Sequence, residues 1–196
     1  MEEIIAKKYN ELTKGKSDVE ARISIFEYIR NIPYYILPEL LDSEKGPIKM
    51  LKMNKGSCQP KHFLLEQMYT ELGISVLYVR YAFKWDEIGI DYPPKLKELA
   101  KQMPITHHLA CEADIEGKSV LVDATLDPPL KKIYPRVNEK WDGISDTLLA
   151  ISKFSDKEFH HPLTERVYLG SPVFSKLESE FYTELNSWLE EVRKNC

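Results

Sequence analysis

The sequence predicts an α+β domain, and three observations carry that prediction. Apolar residues recur at three- and four-residue steps near 19–29, 64–72 and 174–192, the spacing of helix faces that pack on a core. Residues 74–83 are rich in β-branched and aromatic side chains, as a buried strand requires. Two further strand-like runs flank Glu116-Gly117, a plausible hairpin turn. At 196 residues the chain suits one domain, 1–196, with a core of useful size. A mainly antiparallel sheet with helices at both ends is expected.

Taken in order, residues 2–13 form a short helix before the polar break Thr13-Lys14-Gly15-Lys16. Ser17 or Asp18 caps a second helix through about Arg30, with Val19, Ile23, Phe26 and Ile29 as its apolar stripe, and Pro33 closes it. A short helical piece is expected over 36–41 and another over 48–53. A helix covers roughly 60 to 72: Pro60 suits the first turn, Leu64, Leu65, Met68 and Leu72 follow at helical spacing, and Gly73 offers the stop. The strand 74–83 is expected between the two hairpin strands. Pro93-Pro94 starts a helix through Gln102 inside a long connection of the kind that walls a groove. Beyond Asp127-Pro128-Pro129 the chain reads as loop, with an edge strand over 166–169 and a closing helix over about 172–194 whose Phe174, Leu177, Phe181, Leu185, Trp188 and Val192 pack on the core.

The chemistry-bearing stretch is Lys55-Gly56-Ser57-Cys58-Gln59-Pro60-Lys61-His62. Cys58 sits at the start of the helix, where exposed N–H groups and the positive end of the dipole favour a thiolate; thiol pKa values of roughly 3.5 to 7.5 occur in such places. Gly56 allows close approach to the sulfur. A thiolate needs a proton partner, and that partner needs an orienting group. If Glu116-Gly117 is a two-residue loop, Ile115 faces Lys118, Ala110 faces Asp123 and His108 faces Thr125. His108 and Asp123 are then diagonal neighbours on one sheet face, roughly 7 to 8 Å apart before their side chains lean together. A four-residue loop keeps this parity, whereas a three-residue loop brings His107 to Asp123 instead.

Gly56-Ser57-Cys58 opening a helix, Gly73-Ile74 ending it, His108 with Glu112 four residues on, and Asp123-Ala124-Thr125, in that order, resemble the transglutaminase-like superfamily. The segment Tyr28 to Tyr34 is similar to the helix and approach that precede the cysteine in that family, so the likeness spans roughly residues 20 to 130. Ala110 departs from the aromatic residue commonly found two places after the histidine, and the segment between nucleophile and histidine carries an extra Pro-bearing piece. The resemblance implies a papain-like fold with Cys58, His108 and Asp123 as a triad. It implies attack on an amide or peptide carbonyl through a thioester, with the Cys58 N–H and one of Tyr34, Tyr35 or Gln59 at the oxyanion. Hydrolysis is favoured over cross-linking, because the chain is small and has no calcium-loop pattern. The substrate is a peptide, a protein or a small amide, and no cofactor is expected.

Composition narrows the classes. A formal net charge of -4 provides no basic field for nucleic acid. Cysteines at 58, 111 and 196 make no disulfide framework, which fits a reducing compartment. The first residues lack a signal-peptide pattern and no run approaches the ~20 apolar residues of a membrane span, so a cytoplasmic location without membrane contact is expected.

Each chemical candidate has a plainer alternative. Cys111, alternating with Leu109 and Ala113, reads as a small buried hydrophobe, and Cys196 as incidental. His108 could be a hydrogen-bonded strand residue, Asp123 a turn former, and Glu112 a solvated strand residue or a second acceptor near the site. His62, four residues after Cys58, is a rival base or a residue lining the site. Cys58, His62, His107 or His108, and Cys111 could together hold zinc. A catalytically silent binding module on the same fold is the remaining alternative.

Overall fold

The computed structural model describes residues 1–152, 157–160 and 173–195. Its order is α1 (Glu3–Thr13), α2 (Asp18–Asn31), α3 (Gly46–Met53), α4 (Cys58–Glu71), β1 (Val76–Phe83), α5 (Pro94–Gln102), β2 (Thr106–Ile115), β3 (Lys118–Val122), β4 (Lys157–His160) and α6 (Lys176–Lys194). Short 3-10 turns lie at Pro38–Leu40, Trp85–Glu87 and Pro128–Lys132. The chain is thus α+β, with an antiparallel sheet in the order β3-β2-β1-β4.

Helix α4 is the centre of this arrangement. Nearly every residue from Pro60 to Tyr69 is buried, as in a helix enclosed on all sides rather than one with a wet face. It packs with α1 and α2 against Tyr78 of β1 and against Leu109, Cys111 and Ala113 of β2. The opposite sheet face presents Val79, Tyr81 and Ala110 to Trp85, α5 and α6. Strand alternation therefore sends odd positions of β2 toward α4 and even ones, His108 included, toward the second layer. No helix among the described residues is long and apolar enough to cross a membrane.

Local signals account for the ends of the elements. Ser17 caps α2 and Ser175 caps α6, each in a reciprocal capping box with a glutamate three residues on. Glu116 (φ 55°) and Gly117 (φ 78°) both take left-handed backbone, as a two-residue hairpin loop demands. That turn sets the pairing Ile115 with Lys118 and Cys111 with Val122. Gly56 was expected to admit a chain or a substrate, and the structure shows the first. A Cβ there would lie 2.4 Å from the Met50 sulfur of α3, so the glycine admits a neighbouring helix rather than a substrate.

Several expectations need correcting. Strand β1 is flanked by β2 and β4, not by both hairpin strands, because β3 adds to the far side of β2. The strand expected over 166–169 lies outside the described residues, and the described edge strand is Lys157–His160, a short polar run. The piece expected over 36–41 shrinks to the turn Pro38–Leu40, and the closing helix starts at Lys176. Along the free side of β3, the nominal loop runs as a partner: Thr147 N–H donates to the Leu121 carbonyl and Leu121 N–H to the Asp146 carboxylate. A sheet edge left open would invite pairing with another chain.

Helix α6 is fastened to the segment before the cysteine loop. The Asn186 amide copies a strand partner, accepting from Ile36 N–H at 3.0 Å and donating to the Ile36 carbonyl at 2.9 Å. Arg193 clasps Asp127 through Nε at 2.7 Å and Nη2 at 2.8 Å, and Asp127 also accepts from Tyr34 N–H. Asn186→Ala leaves two buried backbone groups without partners and is expected to cost roughly 2 to 4 kcal/mol. Urea denaturation measures this; an unchanged midpoint contradicts the clamp.

Candidate active site

Cys58 is the first residue of α4, and Ser57 precedes it as N-cap without a side-chain cap bond. The reason is local. An N-cap serine accepts from the N–H two or three places into the helix, and the third place is Pro60, which has none. The Ser57 hydroxyl is left buried without a partner. The N–H groups of Cys58 and Gln59 have no acceptor inside the helix, and the helix dipole adds positive potential beside the sulfur. Upstream, Gly56 forms a two-bond parallel bridge, donating to the Pro33 carbonyl at 3.0 Å and accepting from Tyr35 N–H at 3.1 Å. That bridge sets Tyr34 next to the cysteine.

His108 and Asp123 meet as the hairpin parity requires. His108 Nε2 lies 2.7 Å from Asp123 Oδ2, with the two residues 4% and 1% exposed. The other carboxylate bonds fix Asp123: Oδ2 accepts from Ala150 N–H at 2.7 Å and Oδ1 from Thr125 N–H at 3.1 Å, while Asp123 N–H donates to Thr147 Oγ1. Tyr81, opposite His108 in register, stacks on its ring at 6.4 Å between centroids.

Electrostatics follow from this enclosure. Burial pushes the His108 imidazole down, but the charge of Asp123 and its hydrogen bond, joined by a hydrogen bond to Cys58, outweigh burial and lift it to about 10. Burial pushes Asp123 the opposite way, yet the His108 charge and hydrogen bond hold its carboxyl well below the usual range. The pair is therefore ionised at neutral pH. Burial raises the Tyr34 phenol well above its ordinary value, with Cys58 the next cause. Tyr34 thus stays a neutral donor facing the sulfur's surroundings.

Cys58, His108, Gln59 and Tyr34 all open onto one cleft of about 390 Å³, with Tyr182 of α6 on its wall. Cys58 is 8% exposed and reached from this cleft. Other expected residues fall elsewhere. His62 is fully buried: Nδ1 sits 2.8 Å from the Cys58 carbonyl and Nε2 accepts from Ala124 N–H at 3.1 Å. Those two bonds occupy both ring nitrogens, and burial pushes its pKa down to about 4, so it is a neutral strut rather than a base or a lining residue. Tyr35 turns away from the cleft, under Lys55 Nζ at 4.1 Å from its ring centre. Glu112 accepts from Ser119 and pairs with Lys157 at the sheet surface, four residue pairs along from His108.

The zinc arrangement does not assemble. Cys111 lies on the α4 face of the sheet with its sulfur 3.8 Å from the His62 carbonyl, and the His62 nitrogens are occupied. Among the described residues no three histidine, cysteine or acidic side chains group as a metal site.

Sequence reasoning missed three supports. Thr147 and Ala150 come from a stretch read as loop, with no local pattern tying them to Asp123. Lys61, fully buried, donates to the carbonyls of Arg30 at 3.0 Å and Thr125 at 2.7 Å, and burial pushes its ammonium down to about 7. A lysine on an otherwise buried helix was the available signal.

No protein-family model matches this chain, and no curated protein matches it. Among solved structures it is similar to a protein from Cytophaga hutchinsonii provisionally described as a cysteine protease, at 20% identity and a TM-score of 0.44. The match covers 80% of this chain and 49% of the other, so the chain spans about half the length of that protein.

Because His108 is raised above its unfolded value of roughly 6.5, its pairing stabilises the fold fully below that pH and loses the contribution as pH rises through about 10. Histidine NMR is expected to show His108 still protonated at pH 8. In Asp123→Asn the raising effect of the acid is lost, burial is opposed only by Cys58, and the titration moves down from about 10. A normal titration in both proteins contradicts the ion pair.

Proposed function

We propose that this chain is a thiol-dependent acyl-transfer enzyme of the transglutaminase-like, papain-like kind, with Cys58 as nucleophile, His108 as its proton partner and Asp123 as the orienting acid. The single observation that supports this most is the His108–Asp123 pair at 2.7 Å, buried in the wall of the same cleft that exposes Cys58. One ring nitrogen is committed to the acid, which leaves the other for the sulfur.

The reaction balances from these groups alone. The Cys58 sulfur attacks the carbonyl carbon of an amide or thioester while His108 holds the thiol proton. The tetrahedral oxyanion accepts from the Cys58 N–H, with Tyr34 or Gln59 as second donor. Collapse breaks the bond to the leaving group, which departs with the proton from His108, and the acyl group stays on sulfur as a thioester. Water then attacks, gives its proton to His108, and the released thiolate recovers that proton as the acid leaves. We assign water as the acceptor, and a peptide, protein or small amide as substrate. Cys58 and Cys111 are both free thiols, which suits a reducing compartment such as the cytoplasm.

A cysteine-directed acyl probe is expected to label Cys58, and Cys58→Ala to abolish labelling; labelling that persists in that variant rejects the assignment. Asp123→Asn is expected to lower turnover by about 10³- to 10⁴-fold, since it leaves the shape but removes the charge that fixes the imidazole. A loss under tenfold, measured as kcat on any substrate the wild type turns over, contradicts the role given to Asp123.

A further inference from the structure

The cleft beyond Cys58 is larger than chemistry at the sulfur alone requires, and most of its lining is apolar. Away from the sulfur it is walled by Ile36, Trp85, Ile88, Leu130, Ile151 and Leu185. Trp85 and Leu130 come from turns, Ile88 from just after one, Leu185 from α6, and Ile36 and Ile151 from the segments before α3 and after Ala150; all belong to one apolar layer. Two permanently charged side chains reach its wall, and each has its own setting. Glu178 accepts from Ser175 N–H in the cap of α6 at 2.8 Å, and Arg80 stands opposite Glu158 across the β1–β4 pairing. Four lining residues, Ser57, Trp85, Thr125 and Tyr134, carry buried polar atoms without a partner among the described residues and can receive a polar group, but a charged side chain drawn against the aliphatic wall would lose its water for little in return. An apolar group would gain from it: cavities of roughly 150 Å³ already hold benzene, and this one is about 390 Å³.

The cleft is continuous with the sulfur and with His108, so whatever fills it is attached close to the attacked carbonyl. The two halves of a substrate differ in how long they must be held. The leaving group departs after the first step, whereas the acyl group is retained on sulfur until the acceptor arrives. An apolar wall beside the sulfur serves the retained half, which it can grip until the acceptor arrives.

We infer that this cleft is an acyl pocket for a bulky apolar group, a medium-length alkyl chain or an aromatic ring on the carbonyl side of the cleaved bond. It rests on the acyl-transfer role of Cys58 and adds to it the substrate class. Selectivity then grows with chain length, each buried methylene contributing roughly fourfold in kcat/KM until the pocket is full. The site discriminates against short acyl groups.

The test uses two isomeric thioesters, S-ethyl thiooctanoate and S-octyl thioacetate, which carry the same atoms with the long chain on opposite sides of the carbonyl. Turnover by the purified full chain is followed by chromatography of the products, with S-ethyl thiobutanoate as the short acyl reference and Cys58→Ala as control. Thiooctanoate is expected to exceed both thiobutanoate and its isomer by at least tenfold, and Cys58→Ala to remove all three activities. Ile133→Glu, at a half-buried wall position, is expected to lower the octanoyl-to-butanoyl ratio at least threefold. Equal or reversed isomers with activity still dependent on Cys58 overturn the acyl pocket and leave the thiol chemistry standing. Labelling of Cys58 by the acyl probe without thiooctanoate turnover does the same. Absence of both labelling and turnover overturns the pocket and the chemistry together.

Discussion

Everything at this site depends on keeping one negative charge where water cannot reach it. Asp123 is almost wholly enclosed, and an isolated buried carboxylate would protonate rather than stay charged. It stays charged because three contacts converge on it: the His108 ring on one oxygen beside the Ala150 N–H, and the Thr125 N–H on the other. Each contact comes from a different part of the chain. The β2–β3 hairpin brings His108, the end of β3 supplies Thr125, and the strap along the edge of β3 supplies Ala150. The charge is thus a product of the fold, and the fold around it carries an electrostatic load that a hydrophobic core would not.

That arrangement also explains why two histidines so close in space have opposite characters. The rings of His62 and His108 are 6.3 Å apart, both buried near the same acid. His108 faces the carboxylate directly and gains more from its charge than burial costs. His62 spends its nitrogens on backbone groups, holding the Cys58 carbonyl and the Ala124 N–H, and burial wins. The neutral ring ties the helix that carries the sulfur to the strand end that carries the acid. Lys61, one residue earlier, makes a second tie to the same strand end through the Thr125 carbonyl. Two neighbouring residues of α4 therefore tie the helix that carries Cys58 to the strand end that carries Asp123, while the next layer, α6, closes the cleft through Tyr182 and Leu185.

Much of this was legible from local pattern, and what was not is non-local. Helix α4 announced itself through Pro60 and the apolar spacing after it. The hairpin did so through Glu116-Gly117, whose two-residue turn fixes the parity that pairs His108, rather than His107, with Asp123. Of Tyr34, Tyr35 and Gln59, the first and last line the cleft and Tyr35 does not, and the Gly56 bridge that places Tyr34 is a contact between residues with no shared periodicity. His62 looked like a base because sequence shows its distance from Cys58 along a helix but not the backbone groups waiting for its nitrogens. Thr147 and Ala150 lie in a stretch without strand character, and their bonds run across to β3 and its extension: Thr147 accepts from the Asp123 N–H and Ala150 donates to the Asp123 carboxylate. The partner of β1 on its open side was missed because Lys157–His160 is short and polar, with none of the alternation that marks a half-buried strand.

The central claim is geometric: the sulfur, the steadied imidazole and the helix N–H groups act on one carbonyl. A crystal structure of the protein carrying a hemithioacetal formed from octanal tests it most directly, since that adduct mimics the tetrahedral species. The account predicts a bond from Cys58 to the aldehyde carbon, the adduct oxygen about 2.7 to 3.1 Å from the Cys58 N–H, His108 still on Asp123, and the alkyl chain in the cleft. An adduct oxygen turned to solvent with His108 swung away from both partners would contradict it.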